Sequence, residues 1–172
     1  NREIDMLEET YLKIISSKTA SLFAAATKVG AILSNQENKV KDALEFYGKN
    51  LGLTFQIADD TLDYNSELKL FGKEIGNDFF EGKVTLPIIL LNQKANADEK
   101  KGIKNCFLKH VRSESDFKSI LGLIKKYDII NDCYLKAEYF IGLSSNSLSI
   151  FPDKKEKEIL KKLTSFSLER NF

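Results

Sequence analysis

The sequence has few of the residues that cross-link a chain or interrupt its helices. Its 172 residues include two cysteines, two prolines and one histidine. Cys106 and Cys133 stand apart without a CxxC spacing, which argues against a disulfide framework and favours buried thiols in a reducing compartment. We therefore expect a cytoplasmic location. His110 has no neighbouring acid or cysteine in the sequence, so Ser-His-Asp and Cys-His catalysis have no support.

Long apolar runs and strong charge imbalance are also missing. The net charge is +1, from 26 basic and 25 acidic residues, and no stretch concentrates Lys and Arg without compensating acids. This balance argues against a nucleic-acid partner. No apolar run has the length of a bilayer span, so no transmembrane segment is expected. The lysines of the C-terminal segment are interleaved with Glu156 and Glu158, which favours a solvated helix face over a membrane-surface patch.

The scarcity of proline leaves room for long helices. Proline occurs only at Pro87 and Pro152, and no strand-length run alternates β-branched with polar residues. The sequence therefore predicts an all-α protein. The predicted helices cover residues 3–16, 18–34, 38–64, 98–110, 115–127, 129–148 and 153–170, and a further helix opens at Thr85-Leu86-Pro87. The many glycines and charged side chains over residues 65–85 predict a loop.

Two of these helices carry packing signals. Residues 18–34 are apolar nearly all round, which predicts a helix buried at the centre of a bundle. Its alanines and Gly30 would let neighbouring helices approach closely. In the next helix, Gly48 and Gly52 each cost about 1 kcal/mol relative to alanine, so a close packing contact or a nearby ligand is expected there.

The most informative segment is the acidic end of the helix predicted over residues 38–64. Asp63 lies about 40° from Asp59 and about 60° from Asp60 on a helical wheel, and Gln56 lies one turn earlier. Crowded carboxylates of this kind are stabilised by a hard divalent cation, and Mg²⁺ takes one or two carboxylates together with water and substrate phosphate. The pattern indicates phosphate chemistry. The alternative is a solvated helix end. The residues around the acids are apolar and expected to be buried, which argues against it.

Basic side chains with the chemistry to bind a diphosphate flank this acidic segment. Lys73 and Lys83 lie on the glycine-rich stretch just downstream, and Lys18 with Thr19 lies at a helix junction upstream. Any one of these residues, taken alone, would be interpreted as an ordinary surface residue. No GxxxxGK[ST] phosphate loop, GxGxxG motif or EF-hand loop occurs, so those types of phosphate or calcium site are not supported.

Taken in order, three motifs resemble one family, the trans-type isoprenyl diphosphate synthases, and particularly its long-chain polyprenyl (octaprenyl-like) branch. The segments that carry the resemblance are Lys18-Thr19-Ala20-Ser21-Leu22-Phe23, Phe55-Gln56-Ile57-Ala58-Asp59-Asp60-Thr61-Leu62-Asp63-Tyr64, Gly72-Lys73-Glu74-Ile75-Gly76-Asn77-Asp78 and Glu81-Gly82-Lys83-Val84-Thr85-Leu86-Pro87. The resemblance is strong over residues 1–92 and holds in outline beyond them, where Ser144 and Ser145 replace the small apolar residues that the family leads one to expect.

The resemblance implies a helical bundle of the isoprenoid synthase type with its site in a central cavity. It implies that Asp59, Asp60 and Asp63 bind Mg²⁺ as the second aspartate-rich motif. The expected diphosphate-binding residues are Lys18, Thr19, Gln56, Lys73 and Lys83, with Lys18 and Lys73 also expected to act in catalysis. The implied reaction is Mg²⁺-dependent condensation of isopentenyl diphosphate with an allylic diphosphate to give a polyprenyl diphosphate.

One departure from the family pattern is large. The first aspartate-rich motif, Asp-Asp-x-x-Asp on an earlier helix, is absent from residues 1–172, which begin at Asn1 inside a predicted helix. We therefore expect residues 1–172 to be the C-terminal portion of a polyprenyl synthase domain and the bundle to be incomplete. The chain alone should be inactive. It should form a homodimer or pair with an N-terminal half, since apolar faces such as residues 18–34 would otherwise be uncovered.

Other interpretations remain beside this one. The chain could be a non-catalytic remnant or a helical subunit that regulates a prenyl synthase. A head-to-head condensing enzyme, such as a squalene or phytoene synthase, fits less well because that class lacks the Gly-Lys and Glu-Gly-Lys stretch.

Overall fold

The protein is helical throughout the part that the structure, a computed structural model, describes: residues 4–65 and 75–169. Those ranges contain no strand, and the predicted all-α class is confirmed. The helices are α1 (Glu8–Ile15), α2 (Ser21–Leu33), α3 (Asn38–Leu62), α4 (Asn77–Glu81), α5 (Leu86–Lys94), α6 (Ala97–Leu108), α7 (Glu114–Lys126), α8 (Ile129–Ser147) and α9 (Lys155–Glu169). A π-helical segment, Ser16–Ala20, joins α1 to α2, and a 3₁₀ turn, Leu148–Ile150, follows α8.

Most predicted helix bounds agree with these to within about two residues, with two exceptions. The helix predicted over residues 3–16 begins later, at Glu8. The stretch 65–85, predicted as a loop, contains the five-residue helix α4. That helix is too short to produce an apolar repeat, and it lies between Gly76 and Gly82, so local sequence chemistry resembles that of a loop.

The chain divides into two compact units, Asn1–Tyr11 with Asp59–Tyr134 and Leu12–Ala58 with Leu135–Phe172. In the second unit, α2 packs on α3 through small residues. A Cβ added at Gly52 would lie 2.6 Å from Cα of Ala20, and one added at Gly48 would meet the carbonyl oxygen of Phe23. The expected close contact at both glycines is therefore confirmed. Thr27 also donates a hydrogen bond from its hydroxyl to the carbonyl oxygen of Leu44, at 2.6 Å.

The opposite face of α2 is not covered by the described residues. Ala20, Ala24 and Ala31 are buried, whereas Leu22 is 72% exposed and Leu33 is 78% exposed. The prediction that residues 18–34 are buried on all sides is therefore wrong for this chain. Gly30 is also not a close-packing position, since a Cβ there would meet no described atom within 4 Å outside its own helix. These exposures agree with the expectation that an apolar face of residues 18–34 would be uncovered if the bundle is incomplete.

The second unit also has a buried polar frame around Tyr47. The hydroxyl of Tyr47 donates to the carbonyl oxygen of Leu160 at 2.8 Å, and the hydroxyl of Ser144 donates to the carbonyl oxygen of Tyr47 at 3.1 Å. Ser144 is fully buried, so its polar group is satisfied where a small apolar residue was expected. These bonds tie α3 to α8 and α9.

The first unit has an aromatic core. The Phe79 ring lies 5.6 Å from that of Phe107 and 5.1 Å from that of Phe117, and the Tyr64 ring lies 6.2 Å from Phe117, measured between centroids. Such spacings are typical of favourable aromatic pairs. These contacts join the end of α3 to α4, α6 and α7, and so fix the elements that carry the downstream motif.

The two cysteines are free and buried, as predicted. Burial raises the pKa of the Cys133 thiol to about 12, so the thiol is protonated and unreactive at neutral pH. Within the described ranges, none of the helices combines the length and the apolar character that a bilayer crossing requires.

Candidate functional site

The three acids at the end of α3 occupy different environments. Asp59 is exposed, Asp60 is 5% exposed and Asp63 is half-buried. Among the residues that the structure describes, no group of three or more Asp, Glu, Cys or His side chains lies where it could hold a metal ion. The acids thus share a helix end but do not form a three-carboxylate cluster in this chain. Their metal-binding role stays a prediction.

Asp60 is bound by a tyrosine of α1. The hydroxyl of Tyr11 donates to Oδ2 of Asp60 at 2.7 Å, and both side chains are buried. Burial raises the pKa of Tyr11 well above its usual value, and the charge of Asp60 and the hydrogen bond raise it further. Tyr11 is therefore a stable donor that orients the Asp60 carboxylate. Tyr11 lies in the helix predicted over residues 3–16, and nothing in the local sequence marks it as a partner of Asp60.

Asp63 is bound by backbone N–H groups at the start of α4. Its Oδ1 accepts from the N–H groups of Gly76 and Asn77, each at 3.0 Å, and its Oδ2 accepts from that of Asp78 at 2.8 Å. Burial raises the pKa of Asp63, while the hydrogen bonds from the backbone of Asp78 and its neighbours act in the opposite direction. The carboxylate therefore closes the turn that leads into α4.

Lys83 follows α4 and is held by two acids of that helix. Its Nζ lies 2.9 Å from Oδ1 of Asp78 and 2.7 Å from Oε2 of Glu81. These hydrogen bonds, with Glu81 the stronger cause, raise the pKa of Lys83, which is fully charged at neutral pH. The ammonium group has three N–H donors, so one remains for a diphosphate oxygen beside these two carboxylates. Lys73, the other predicted cation of this stretch, lies outside the described residues.

In the second unit, the predicted residues of the two upstream motifs meet. The hydroxyl of Thr19 donates to Oε1 of Gln56 at 2.7 Å, although 37 residues separate the two. Thr19 and the exposed Lys18 lie on the π-helical segment, a type of helix irregularity that is frequent at functional sites. The bond turns Oε1 of Gln56 toward Thr19, so its Nε2 lies on the other side of the amide as a donor suited to an anionic oxygen.

The chemistry of these donors fits part of a magnesium site. Carboxylate oxygens are the preferred ligands of Mg²⁺, and the ion commonly takes one or two of them, filling the remaining positions with water and phosphate oxygens. Asp59 and Asp60 are consecutive on α3, about 100° apart around the helix, and each carries a carboxylate of this type. The described residues do not supply a complete site.

The structure also contains surface grooves away from these residues. One, with a volume of about 480 Å³, lies between α2 and α3 and is lined by residues that include Lys28, Glu45 and Phe46. Another, of about 380 Å³, is lined by residues that include Tyr64, Lys125 and Tyr134. Neither groove is lined by a predicted site residue, and the expected central cavity stays a prediction.

Comparison with known proteins identifies a family. Residues 1–124 match the family model described as polyprenyl synthetase. The chain is 30% identical over 165 residues to octaprenyl diphosphate synthase of Haemophilus influenzae, covering 96% of this chain and 50% of that protein.

Solved structures give the same result. A decaprenyl diphosphate synthase from Rhodobacter capsulatus superposes with a TM-score of 0.92 at 32% identity, covering 99% of this chain and 53% of that one. A polyprenyl synthase from Caulobacter crescentus, complexed with calcium and isoprenyl diphosphate, superposes with a TM-score of 0.92 at 33% identity, covering 99% and 52% of the two chains. The chain spans about half the length of the curated relatives it matches.

Proposed function

Because this chain belongs to the polyprenyl synthetase family, we propose that it forms one part of a prenyltransferase that condenses isopentenyl diphosphate with an allylic diphosphate. In this proposal residues 1–172 are the C-terminal portion of the synthase domain. The observation that carries the proposal is the contact between Thr19 and Gln56 at 2.7 Å, beside Lys18 and one helical turn before Asp59 and Asp60. Residues from two separate motifs are thereby held in a fixed arrangement.

Lys18, Thr19 and Gln56 are the residues that we assign to the diphosphate. Lys18 presents an exposed ammonium group, and the Thr19 hydroxyl orients the Gln56 amide. A cation and oriented N–H donors stabilise the negative charge that develops on a departing diphosphate, and they do so without reorganising during the reaction. Thr19 in this arrangement orients Gln56, and Lys18 and Gln56 contact the leaving group. Lys73 is assigned the same contact through the family resemblance alone.

The roles of Asp59, Asp60 and Lys83 are assigned through the family resemblance. Asp59 and Asp60 would hold Mg²⁺, which when bound neutralises diphosphate oxygens and assists departure of the leaving group. The calcium in the Caulobacter crescentus structure supports a divalent metal in a related protein. Lys83 would bind a diphosphate oxygen through the N–H that Asp78 and Glu81 do not use. The allylic cation left behind is then attacked by the double bond of isopentenyl diphosphate, which loses a proton.

The proposal needs a partner that completes the site. The outward face of α2 carries Leu22, Val29 and Leu33, each at least 47% exposed, at steps of seven and four residues. Such spacing forms one apolar stripe along a helix. A stripe of this kind is suited to cover by another helix, and the relatives have about as much chain again as this one matches. The partner is therefore a helical half of a prenyl synthase, and a second copy of this chain is the alternative occupant.

Regulation of a catalytic partner is the second candidate function. It is favoured by the absence of a complete metal cluster among the described residues, together with the exposed face of α2. In that case the acids of α3 would have no catalytic role. A cytoplasmic location accompanies either function and is supported by the free cysteines.

The test is Mg²⁺-dependent incorporation of labelled isopentenyl diphosphate. The chain alone should show negligible turnover. Adding the half of the Haemophilus influenzae synthase that this chain does not match should give activity, and Asp59→Asn in this chain should then lower it by at least roughly 100-fold, as loss of a metal ligand would. Glu138→Gln, an exposed change on α8, is the control.

Two other outcomes of this assay would contradict parts of the proposal. Turnover by the chain alone would contradict the need for a partner. Activity that Asp59→Asn leaves unchanged would contradict the catalytic role and support the regulatory one.

A further inference from the structure

Asp63 is the third acid of the aspartate-rich segment, and its oxygens are already engaged. Oδ1 accepts two backbone N–H groups, from Gly76 and Asn77, and Oδ2 accepts one from Asp78. The Gly76 N–H also donates to the backbone carbonyl oxygen of Asp63 at 2.8 Å. This is the hydrogen-bonding pattern of a helix cap supplied from a distant part of the chain.

The backbone N–H groups at Asp63 stabilise its carboxylate against the burial that raises its pKa, and they disfavour a cation beside it. Three N–H dipoles direct their positive ends at the carboxylate, and these compensate its charge. A metal ion on the same oxygens would lie next to those positive ends, and only Oδ2 keeps an acceptor position that no N–H group occupies. Asp63 therefore differs from Asp59, which is exposed in the last turn of α3.

Asp63 is linked to Lys83 through Asp78. The backbone N–H of Lys83 donates to the carbonyl oxygen of Asp78 at 2.9 Å, and its Nζ donates to Oδ1 of the same residue at 2.9 Å. The backbone N–H of Asp78 thus donates to Asp63, while the carbonyl oxygen and Oδ1 of Asp78 both accept hydrogen bonds from Lys83. Moving the backbone at Asp78 would move the ammonium group of Lys83.

Both ends of this segment are closed by buried side chains. Gly76 has φ +91°, and a Cβ there would lie 2.7 Å from Cζ of Phe117. Gly82 has φ +76°, and a Cβ there would lie 2.5 Å from Nη2 of Arg112. The segment is closely packed at both ends, and Asp63 connects it to the end of α3.

We propose that Asp63 is a positioning residue, whose carboxylate binds the backbone of residues 76–78 and thereby fixes Asp78 and Lys83, and that it is not a magnesium ligand. The proposal rests on the proposed function in one respect, namely that Lys83 meets the diphosphate. It reassigns one acid of the predicted magnesium set and leaves Asp59 and Asp60 as the ligands.

The first experiment is thermal unfolding of the chain in EDTA. Asp63→Ala should lower Tm by about 3–8 °C because three charge-assisted hydrogen bonds are lost, whereas Asp59→Ala should leave Tm within about 1 °C. Asp63→Asn, which keeps an Oδ1 acceptor, should fall between wild type and Asp63→Ala, and it decides the test if the alanine variant does not fold. An Asp63→Asn or Asp63→Ala chain that unfolds like wild type without metal would overturn the proposal.

The second experiment reads Lys83 directly by NMR of lysine ammonium groups at about pH 6 and low temperature. The Lys83 signal should be present in wild type and in Asp59→Ala, and it should shift or broaden away in the Asp63 variants. A fall in Tm with an unchanged Lys83 signal would show a structural role only and would contradict positioning. Displacement of the Gly76, Asn77 and Asp78 amide signals by Mg²⁺ would assign Asp63 to the metal instead. Neither readout needs substrate, so an inactive enzyme would bear on the proposed function alone.

Discussion

The hydroxyl of Tyr11 lies 2.7 Å from Oδ2 of Asp60, and this contact joins two buried side chains that are 49 residues apart. A buried carboxylate that loses a donor keeps its desolvation cost with one compensating hydrogen bond fewer. The contact therefore makes α1 part of the support of the acidic segment of α3.

Replacing Tyr11 tests this support. Tyr11→Phe should lower the free energy of unfolding by about 1–3 kcal/mol, since one hydrogen bond to a buried charged group is removed. Urea denaturation followed by circular dichroism measures the change. Tyr139→Phe is the matched control, because Tyr139 is 61% exposed and its loss of a hydroxyl should change stability by less than about 0.5 kcal/mol. Equal stability of both variants would contradict a role for the Tyr11 hydroxyl.

The exposed apolar stripe of α2 predicts association. The chain should sediment as concentration-dependent assemblies, because Leu22, Val29 and Leu33 present a continuous apolar surface. Leu22→Lys combined with Leu33→Lys should shift the chain toward monomer in analytical ultracentrifugation. Val111→Lys is the control, since Val111 is 84% exposed and lies outside the stripe. A wild-type chain that is monomeric at all concentrations would argue against this use of the face.

Two glycines make a matched pair for backbone strain. Gly82→Ala should destabilise the chain by about 1–3 kcal/mol, since Gly82 has φ +76° and a Cβ would contact the buried Arg112 guanidinium. Gly122→Ala, inside α7 with no described atom near the added Cβ beyond its own helix, should stabilise by roughly 0.5–1 kcal/mol. Chemical denaturation of the two variants gives both values, and the same sign for both would refute the explanation.

Acid should destabilise the first unit through two helix caps. Glu99 closes the capping box of α6 and Asp116 that of α7, and both receive hydrogen bonds from lysine. Hydrogen bonds from Lys126 and Lys109, respectively, lower each pKa to about 2, from ordinary values of 4.5 and 3.8. An acid with a lowered folded-state pKa stabilises above its unfolded pKa, and the contribution is lost as pH falls toward the folded value.

The expected result is a fall in Tm as the pH is lowered from about 4.5 to 2, steeper than in a chain carrying both Glu99→Gln and Asp116→Asn. Thermal unfolding at several pH values measures the two slopes. Parallel slopes would mean that these caps contribute nothing to acid sensitivity.

Asp63 should have the opposite effect on the pH dependence of stability. Burial raises the pKa of Asp63, so the stability that this group contributes declines as the pH rises above the ordinary pKa of 3.8.

Local sequence was sufficient for most of the helices. The apolar repeat of α7 and the Pro87 start of α5 each depend on residues within one element, and both helices lie where they were predicted. The helix α4 was missed because five residues carry no repeat. The uncovered face of α2 could not be read from α2 itself, since its side chains are apolar on both faces and the difference lies in which neighbours are present.

The sequence by itself determined which residue types share the end of α3, because helical periodicity places Gln56 and Asp60 one turn apart. Tertiary structure alone decided their partners: Thr19 for Gln56, Tyr11 for Asp60, and the N–H groups of residues 76–78 for Asp63. The physical reason is the separation along the sequence over which each kind of interaction acts. Periodicity follows from bonds between near neighbours, whereas these contacts join residues from 13 to 49 positions apart and depend on how whole helices pack.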